Sequence, residues 1–525
     1  MPQCCRFGSI RRMLSPRLVV AALLSVFAQC MFPAAAHAKW LKAETAHFIL
    51  YSSGTERDLR ETAIRLERFD ALLKLKFNFK DKPYQPKLPI YYLPRRSDVQ
   101  ALTKGWQSNA AGFFATRPEG SFAVANREKS QTELQLDGDE ILLHEYGHFF
   151  MFRHAAFPYP AWYVEGFAEF VSTTTIDANG NWTMGKPAYH RAHSILNMDK
   201  ISIEQLLFER HKGMSPAATS VFYGRSWLLT HMMLTDPTYN GQLATYFGAI
   251  ASGKSQREAA IAGFGDLAAL DKALDRYKTR KLAFISSRLP IQTDISVTVT
   301  SLDAMAEALL PLRLERLSAS DISTVPTRLE AVAARFPGQA EPYYELAMAH
   351  RWLGSKASAE QRDIHAAKAE AAIDRALAIN PRHVRANVIK ADYVMRRLRA
   401  QQDRSPEHWS AAREYLITAN RESSDDPMVL VGWYDSFGLQ GRKPSQTARD
   451  GLARAFELVP EQPEIRARYA YDLAQQGRFD EAIKLAETLA FNPHGGNQGD
   501  LLLERIKAMR DHKAAAPTDR DKIAG

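Results

Sequence analysis

The stretch Ile141 to Phe170, ILLHEYGHFFMFRHAAFPYPAWYVEGFAEF, sets three histidines and three glutamates into an otherwise mostly apolar run. Charge is buried only where it is paired, hydrogen-bonded or bound to a metal, so this run raises the question of what compensates it. His144 and His148 are four apart on a predicted helix that begins near Glu140, with Asp137 or Asp139 as its cap. At 3.6 residues per turn they differ by about 40° and one turn of rise, so both imidazoles leave one face. A tetrahedral zinc ion accepts two nitrogens so placed. Glu145 lies about 100° round the helix, beside such an ion, where a carboxylate can take a proton from an activated water and return it to a leaving amine.

Working outward to the N-terminus, Arg6, Arg11, Arg12 and Arg17 precede an apolar run, LVVAALLSVFAQCMF (Leu18 to Phe32), followed by PAAAHAKW. A basic start, an apolar core and an Ala-x-Ala ending at Ala38 describe a secretory signal peptide over residues 1–38. Export through the Sec pathway, most simply to a bacterial periplasm, is the expectation. The three cysteines, Cys4, Cys5 and Cys30, all fall in that segment, so the mature chain has neither disulfides nor thiolate ligands nor a cysteine nucleophile. Four of the 68 basic residues go with it, which lowers the net charge from +9 to +5. That is too weak a positive balance to argue for nucleic acid. No later segment is apolar for long enough to span a membrane.

The mature chain then changes character once. KWLKAETAHFILYSS alternates as a strand, and ERDLRETAIRLERFDALLKLKF carries apolar residues at helical spacing: Leu59, Ala63, Leu66, Phe69 and Leu73. KLPIYYLP reads as a strand and Gly112 to Asn126 as a hairpin turning at RPEG. A small sheet followed by helices over 39–300 is an α+β pattern. Residues 305–512 run helix after helix. PEIRARYAYDLAQQGRFDEAIKLAETLAFNPHG resembles a tetratricopeptide repeat, with Ala470, Leu473, Gly477, Phe479, Ala482, Ala486 and Pro493 at its small, large and turn positions. Pro337, Pro381 and Pro460 close further helices at an irregular pitch. Stacked helix pairs of this kind bury a continuous core and present a surface to a protein partner. The tail, 513–525, has the composition of a disordered segment.

Sixteen residues separate His148 from Glu165 in AWYVEGFAEF. With that spacing the segment resembles the gluzincin zinc peptidases, in which an HExxH helix is followed by a helix opening on an N-E-G or S-E-G glutamate. Here the triplet is Val164-Glu165-Gly166. The resemblance implies a zincin-like core in which Glu165 completes a His144, His148, Glu165 zinc site, with Glu145 as general base and then acid. It also implies that Glu169, four residues on, orients a ligating histidine, and that Tyr223 in VFYGRSWLLTHMML steadies an oxyanion. Residues 39–300 together with the repeats resemble the peptidase MA-like proteins, which implies a peptide or protein substrate.

Family likeness also directs attention to an upstream edge strand that pairs with substrate, for which SFAVAN (Ser121 to Asn126) is the expected segment. The glutamate that holds a free amine in the aminopeptidases is missing there, which leaves endopeptidase action at least as well supported. His231 reads as a core histidine or one that supports the site from behind, His154 as a residue that follows the helix and caps its C-terminus, and His190 and His193 as structural or surface groups. The competing expectation is a non-catalytic periplasmic scaffold with a structural zinc.

Overall fold

The computed structural model describes residues 39–515, apart from 82–84, 106–109, 155–156, 288, 292–293 and 493–496. The expected signal peptide, the turn at Pro493 and residues 516–525 of the expected tail lie outside these. The described residues from Trp40 onward form one compact unit. None of its described helices is long and apolar enough to cross a membrane.

The N-terminal part is mixed α/β around a six-stranded sheet. Strands β1 (Leu41–Glu44), β2 (Phe48–Ser52), β3 (Leu88–Leu93), β4 (Phe113–Arg117), β5 (Gly120–Asn126) and β9 (Thr298–Ser301) run in the order β4-β5-β3-β2-β1-β9. Helix α1 (Glu56–Phe77) is the crossover that makes β2 and β3 parallel. Thr55 caps it by accepting the Asp58 N–H, and Asn78 ends it in the left-handed conformation at φ 56°. Its five predicted apolar positions, Leu59 to Leu73, are all buried. Helix α2 (Arg96–Thr103) leads from β3 towards β4.

The hairpin forms as expected, with Arg117 opposite Gly120 and Phe113 opposite Val124. One expectation is corrected here. Ser121 to Asn126 is not the edge: β5 is hydrogen-bonded to β3 on one side and β4 on the other, and the edge strand is β4. The cause is visible in burial. Every residue of β5 after Gly120 is buried, as an interior strand covered on both faces must be, while β4 is half-buried beyond Phe113.

After β5 come α3 (Gly138–His154) and α4 (Ala161–Ser172), then the small sheet of β6 (Thr175–Ile176), β7 (Trp182–Met184) and β8 (Ile285–Ser287). Helices α5 (Ala192–Leu196), α6 (Ile203–Phe208), α7 (Pro216–Thr235), α8 (Gln242–Ala251), α9 (Gln256–Phe264) and α10 (Leu267–Tyr277) complete this part.

An all-α region of paired helices follows. It comprises α11 (Ala304–Ser318), α12 (Val325–Arg335), α13 (Glu341–Lys356), α14 (Ala359–Ile379), α15 (Val384–Ala400), α16 (Pro406–Glu422), α17 (Pro427–Leu439), α18 (Gln446–Leu458), α19 (Pro463–Gln475), α20 (Phe479–Ala490) and α21 (Gln498–Ala515). The segment expected to be a repeat forms the helix pair α19–α20. Ala470, Leu473, Ala482 and Ala486 are buried between the two helices, and Gly477 turns the chain at φ 82°. Helix α21 runs through the first residues of the expected tail.

Candidate metal centre

Helix α3 starts where the sequence indicates, and Asp137 is the residue that starts it: its carboxylate accepts the Asp139 N–H at 2.8 Å and its carbonyl accepts the Ile141 N–H. Asp139 is used otherwise. It takes a two-point ion pair from Arg65, both contacts at 2.6 Å, and the Tyr92 hydroxyl at 2.5 Å. On the far face of α3 the Tyr146 hydroxyl donates to Asp70 of α1 at 2.5 Å.

Two glycines let α3, α4 and α7 approach. A Cβ on Gly147 would sit 3.0 Å from Val171 and 3.3 Å from Ala168 of α4. One on Gly166 would sit 2.2 Å from the Thr230 hydroxyl and 2.4 Å from the Ser226 carbonyl of α7. Backbone cannot yield as a side-chain tip can, so Gly166→Ala should force α4 off α7 and carry Glu165 with it. A loss of about 1–3 kcal/mol in stability is expected, as for other overpacked cores, together with weaker metal binding. Thermal unfolding and metal content of the same sample check both.

These contacts bring His144, His148 and Glu165 into a group able to hold a metal ion. The two Nε2 atoms are 3.1 Å apart, and Glu165 Oε2 lies 3.8 Å from His144 Nε2 and 3.5 Å from His148 Nε2. Ligands about 2.0–2.1 Å from a tetrahedral zinc are about 3.3 Å from one another. The three edges, 3.1, 3.5 and 3.8 Å, lie around that length, so two imidazoles and one carboxylate form a group that could hold a metal ion. Glu165 is fully buried and His148 nearly so, while the His144 side chain keeps 14% exposure, so the group is reached from one side.

The charges around the triangle are arranged for a cation. Burial, with the neighbouring His148 next, pushes His144 down to about 3. Burial opposes charge on His148 as well, but Glu165 outweighs it and raises His148 above its ordinary value. Burial and then Glu165 push the Tyr223 phenol well above 10, so it is a neutral hydrogen-bond donor at any physiological pH.

Glu169 is the hub behind the triangle. His190 Nε2 lies 2.8 Å from one of its oxygens, Arg191 donates to the other from Nη2 at 2.5 Å and from Nε at 3.1 Å, and His144 Nδ1 is 3.6 Å away. Burial works against its charge, yet Arg191 and His190 outweigh it and hold the carboxyl far below the usual range. The Glu169 carboxylate faces His144 Nδ1 from 3.6 Å, beyond hydrogen-bond length.

Tyr223 sits on α7 beside the site. Its ring stacks on His144 at 6.5 Å between centroids, and the Arg191 guanidinium lies over it at 5.0 Å. Glu145 is half-buried and lies against the start of β4, where a Cβ on Gly112 would be 3.3 Å from its Cγ.

His231 is a core histidine, Nδ1 2.9 Å from the Tyr277 hydroxyl and Nε2 3.0 Å from the Gly185 carbonyl. His154 lies in the last turn of α3. His190 is not the isolated group its sequence neighbours indicate. With Arg191 it was missed as part of the site, because its acids, Glu169 and Glu140, are 21 and 50 positions away along the chain. The HxxH at His190 and His193 was the available signal.

A second group, His47, Asp70 and Asp81, has metal-like spacing, but the Lys74 ammonium already bridges the two aspartates. It is an ion-pair cluster. No family model, curated protein or solved structure matches this chain.

Proposed function

We propose that the chain is a zinc-dependent peptidase acting on peptide or protein substrates outside the cytoplasm. The observation that supports this best is the His144, His148, Glu165 triangle, with the Tyr223 ring stacked on His144 and the Glu145 charge acting on His148. Bound zinc would supply Lewis-acid polarisation of a carbonyl and a water of lowered pKa.

The chain's own groups account for the rest. Glu145 accepts the proton of the attacking water as its oxygen bonds to the carbonyl carbon, then delivers that proton to the leaving amine nitrogen as the C–N bond breaks. The neutral Tyr223 hydroxyl donates to the oxygen on which negative charge develops. Glu169, locked by His190 and Arg191, keeps His144 oriented throughout. The outer edge of β4 pairs with an extended substrate backbone, with Gly112 letting the strand pack closely against Ile141 and Glu145 of α3. The helical region, read as degenerate tetratricopeptide repeats, recruits substrate or a partner.

The test is cleavage of a fluorogenic peptide library and of denatured casein by the full mature chain. Hydrolysis should be lost on removing metal with 1,10-phenanthroline and should return with zinc. Zinc retained without cleavage of any substrate would leave a scaffold with a structural metal, and absence of zinc would remove the reading altogether. Tyr223→Phe should retain zinc and lose about 10²–10³-fold in kcat, as when one oxyanion donor is removed, with KM little changed.

A further inference from the structure

The last turn of α3 is finished by residues more than 300 positions away. Arg466 of α19 donates from Nη2 to the Phe152 carbonyl at 3.2 Å. Phe152 is among the last four residues of α3, whose carbonyls have no acceptor role within the helix. A buried guanidinium there satisfies one of them and places positive charge at the negative end of the helix dipole. Its own geometry is fixed by two hydrogen bonds from Nε and Nη2 to the Pro460 carbonyl, at 3.0 and 2.5 Å.

One residue on, Arg153 forms an ion pair with Glu461, at 3.1 and 3.2 Å, with both side chains at least 95% buried. Glu461 also accepts from the Ser121 hydroxyl of β5 at 2.9 Å. Gln462 donates from its side-chain amide to the Arg117 carbonyl, the last residue of β4, at 2.7 Å. Four contacts from three residues thus join one short segment, 460–466, to α3 and to both strands of the hairpin.

These contacts lead directly to the site. The Phe152 ring stacks on the ligand His148, 6.4 Å between centroids and 18° between planes. The Arg153 guanidinium lies over Phe149 at 5.3 Å, and Phe149 in turn packs edge-on against Phe114 of the edge strand β4 at 5.7 Å. Ordinary packing between two parts of a chain needs no buried charge. Here two arginines and a glutamate are buried, and each is spent on the end of α3 or on the hairpin.

We propose that the segment 460–466, where α18 passes into α19, is a positioning element of the site: Arg466 and Glu461 hold His148 in place through the end of α3, and Gln462 holds β4. This rests on the metal reading above and assigns the helical region a part in the site itself, in addition to recruitment. None of the three touches substrate or metal.

Full-length wild type, Glu461→Gln, Arg466→Ala and the conservative Arg466→Lys are compared by amide hydrogen exchange and by zinc titration. Arg468→Ala, which removes an exposed pair with Asp435 on the same helix, is the control. Peptides covering residues 145–154 should exchange faster in Glu461→Gln and Arg466→Ala, and zinc should bind about tenfold more weakly, in the range seen when a supporting group is lost. Arg466→Lys should recover most of both, and Arg468→Ala should change neither.

Unchanged exchange in α3, or faster exchange with unaltered zinc affinity, overturns the proposal. If Glu461→Gln or Arg466→Ala does not fold, Gln462→Ala leaves the buried ions intact and is read at the β4–β5 hairpin, where unchanged exchange counts against it. If wild type binds no zinc, the metal reading fails, and the exchange data alone then decide whether 460–466 holds α3.

Discussion

Replacing Glu145 with glutamine is expected to lower hydrolysis by about 10²–10⁴-fold, the contribution of a positioned general acid–base, while zinc stays bound at one equivalent per chain. Glutamine keeps the volume beside Gly112 and the half-buried position on α3. It cannot accept the water proton, and it has none to return to the amine. The ligand atoms of His144, His148 and Glu165 are untouched, so metal content should match wild type. The measurement is single-turnover cleavage of the best library peptide beside zinc analysis. Wild-type turnover in the variant would sink the role of Glu145, and loss of zinc would mean that Glu145 serves the metal instead.

Glu165→Ala should have the opposite signature, with zinc lost and activity lost with it. Of the three residues in the group, Glu165 is the one that carries a formal charge, and it is fully buried on α4 facing the two imidazoles. Without it, two imidazoles 3.1 Å apart remain, having lost the carboxylate that faces both at 3.5 and 3.8 Å. The loss in affinity should exceed the roughly 10–100-fold that follows loss of an outer partner. Dialysed protein analysed for metal gives the answer: one zinc in wild type and none in the variant. Zinc retained in Glu165→Ala would show that the ion is held elsewhere, and the His47, Asp70, Asp81 cluster would be the next place to look.

Much of the fold and of the centre was legible because the relevant geometry is local. Helix α1 buries its five predicted apolar positions, and the hairpin turns where its turn residues stand. His144 and His148 converge because a helix brings i and i+4 to one face whatever surrounds it. Glu165 was reached through the likeness of its V-E-G triplet, and the physical basis of that glycine is now apparent: it lets α4 meet α7 at backbone distance.

What was not legible depends on which distant segments meet. Strand order made β4 the edge, since a hairpin's sequence does not say which of its strands pairs with β3. His190 and Arg191 entered the site through Glu169, and Arg466 and Glu461 reached α3 across 314 and 308 positions. The sequence by itself thus determined the helix that carries His144 and His148 and the face they share, because periodicity acts within a few turns. Only the tertiary structure decided what orients, encloses and braces them. Those contacts form between segments with no common period, and burial becomes favourable only once both are in place.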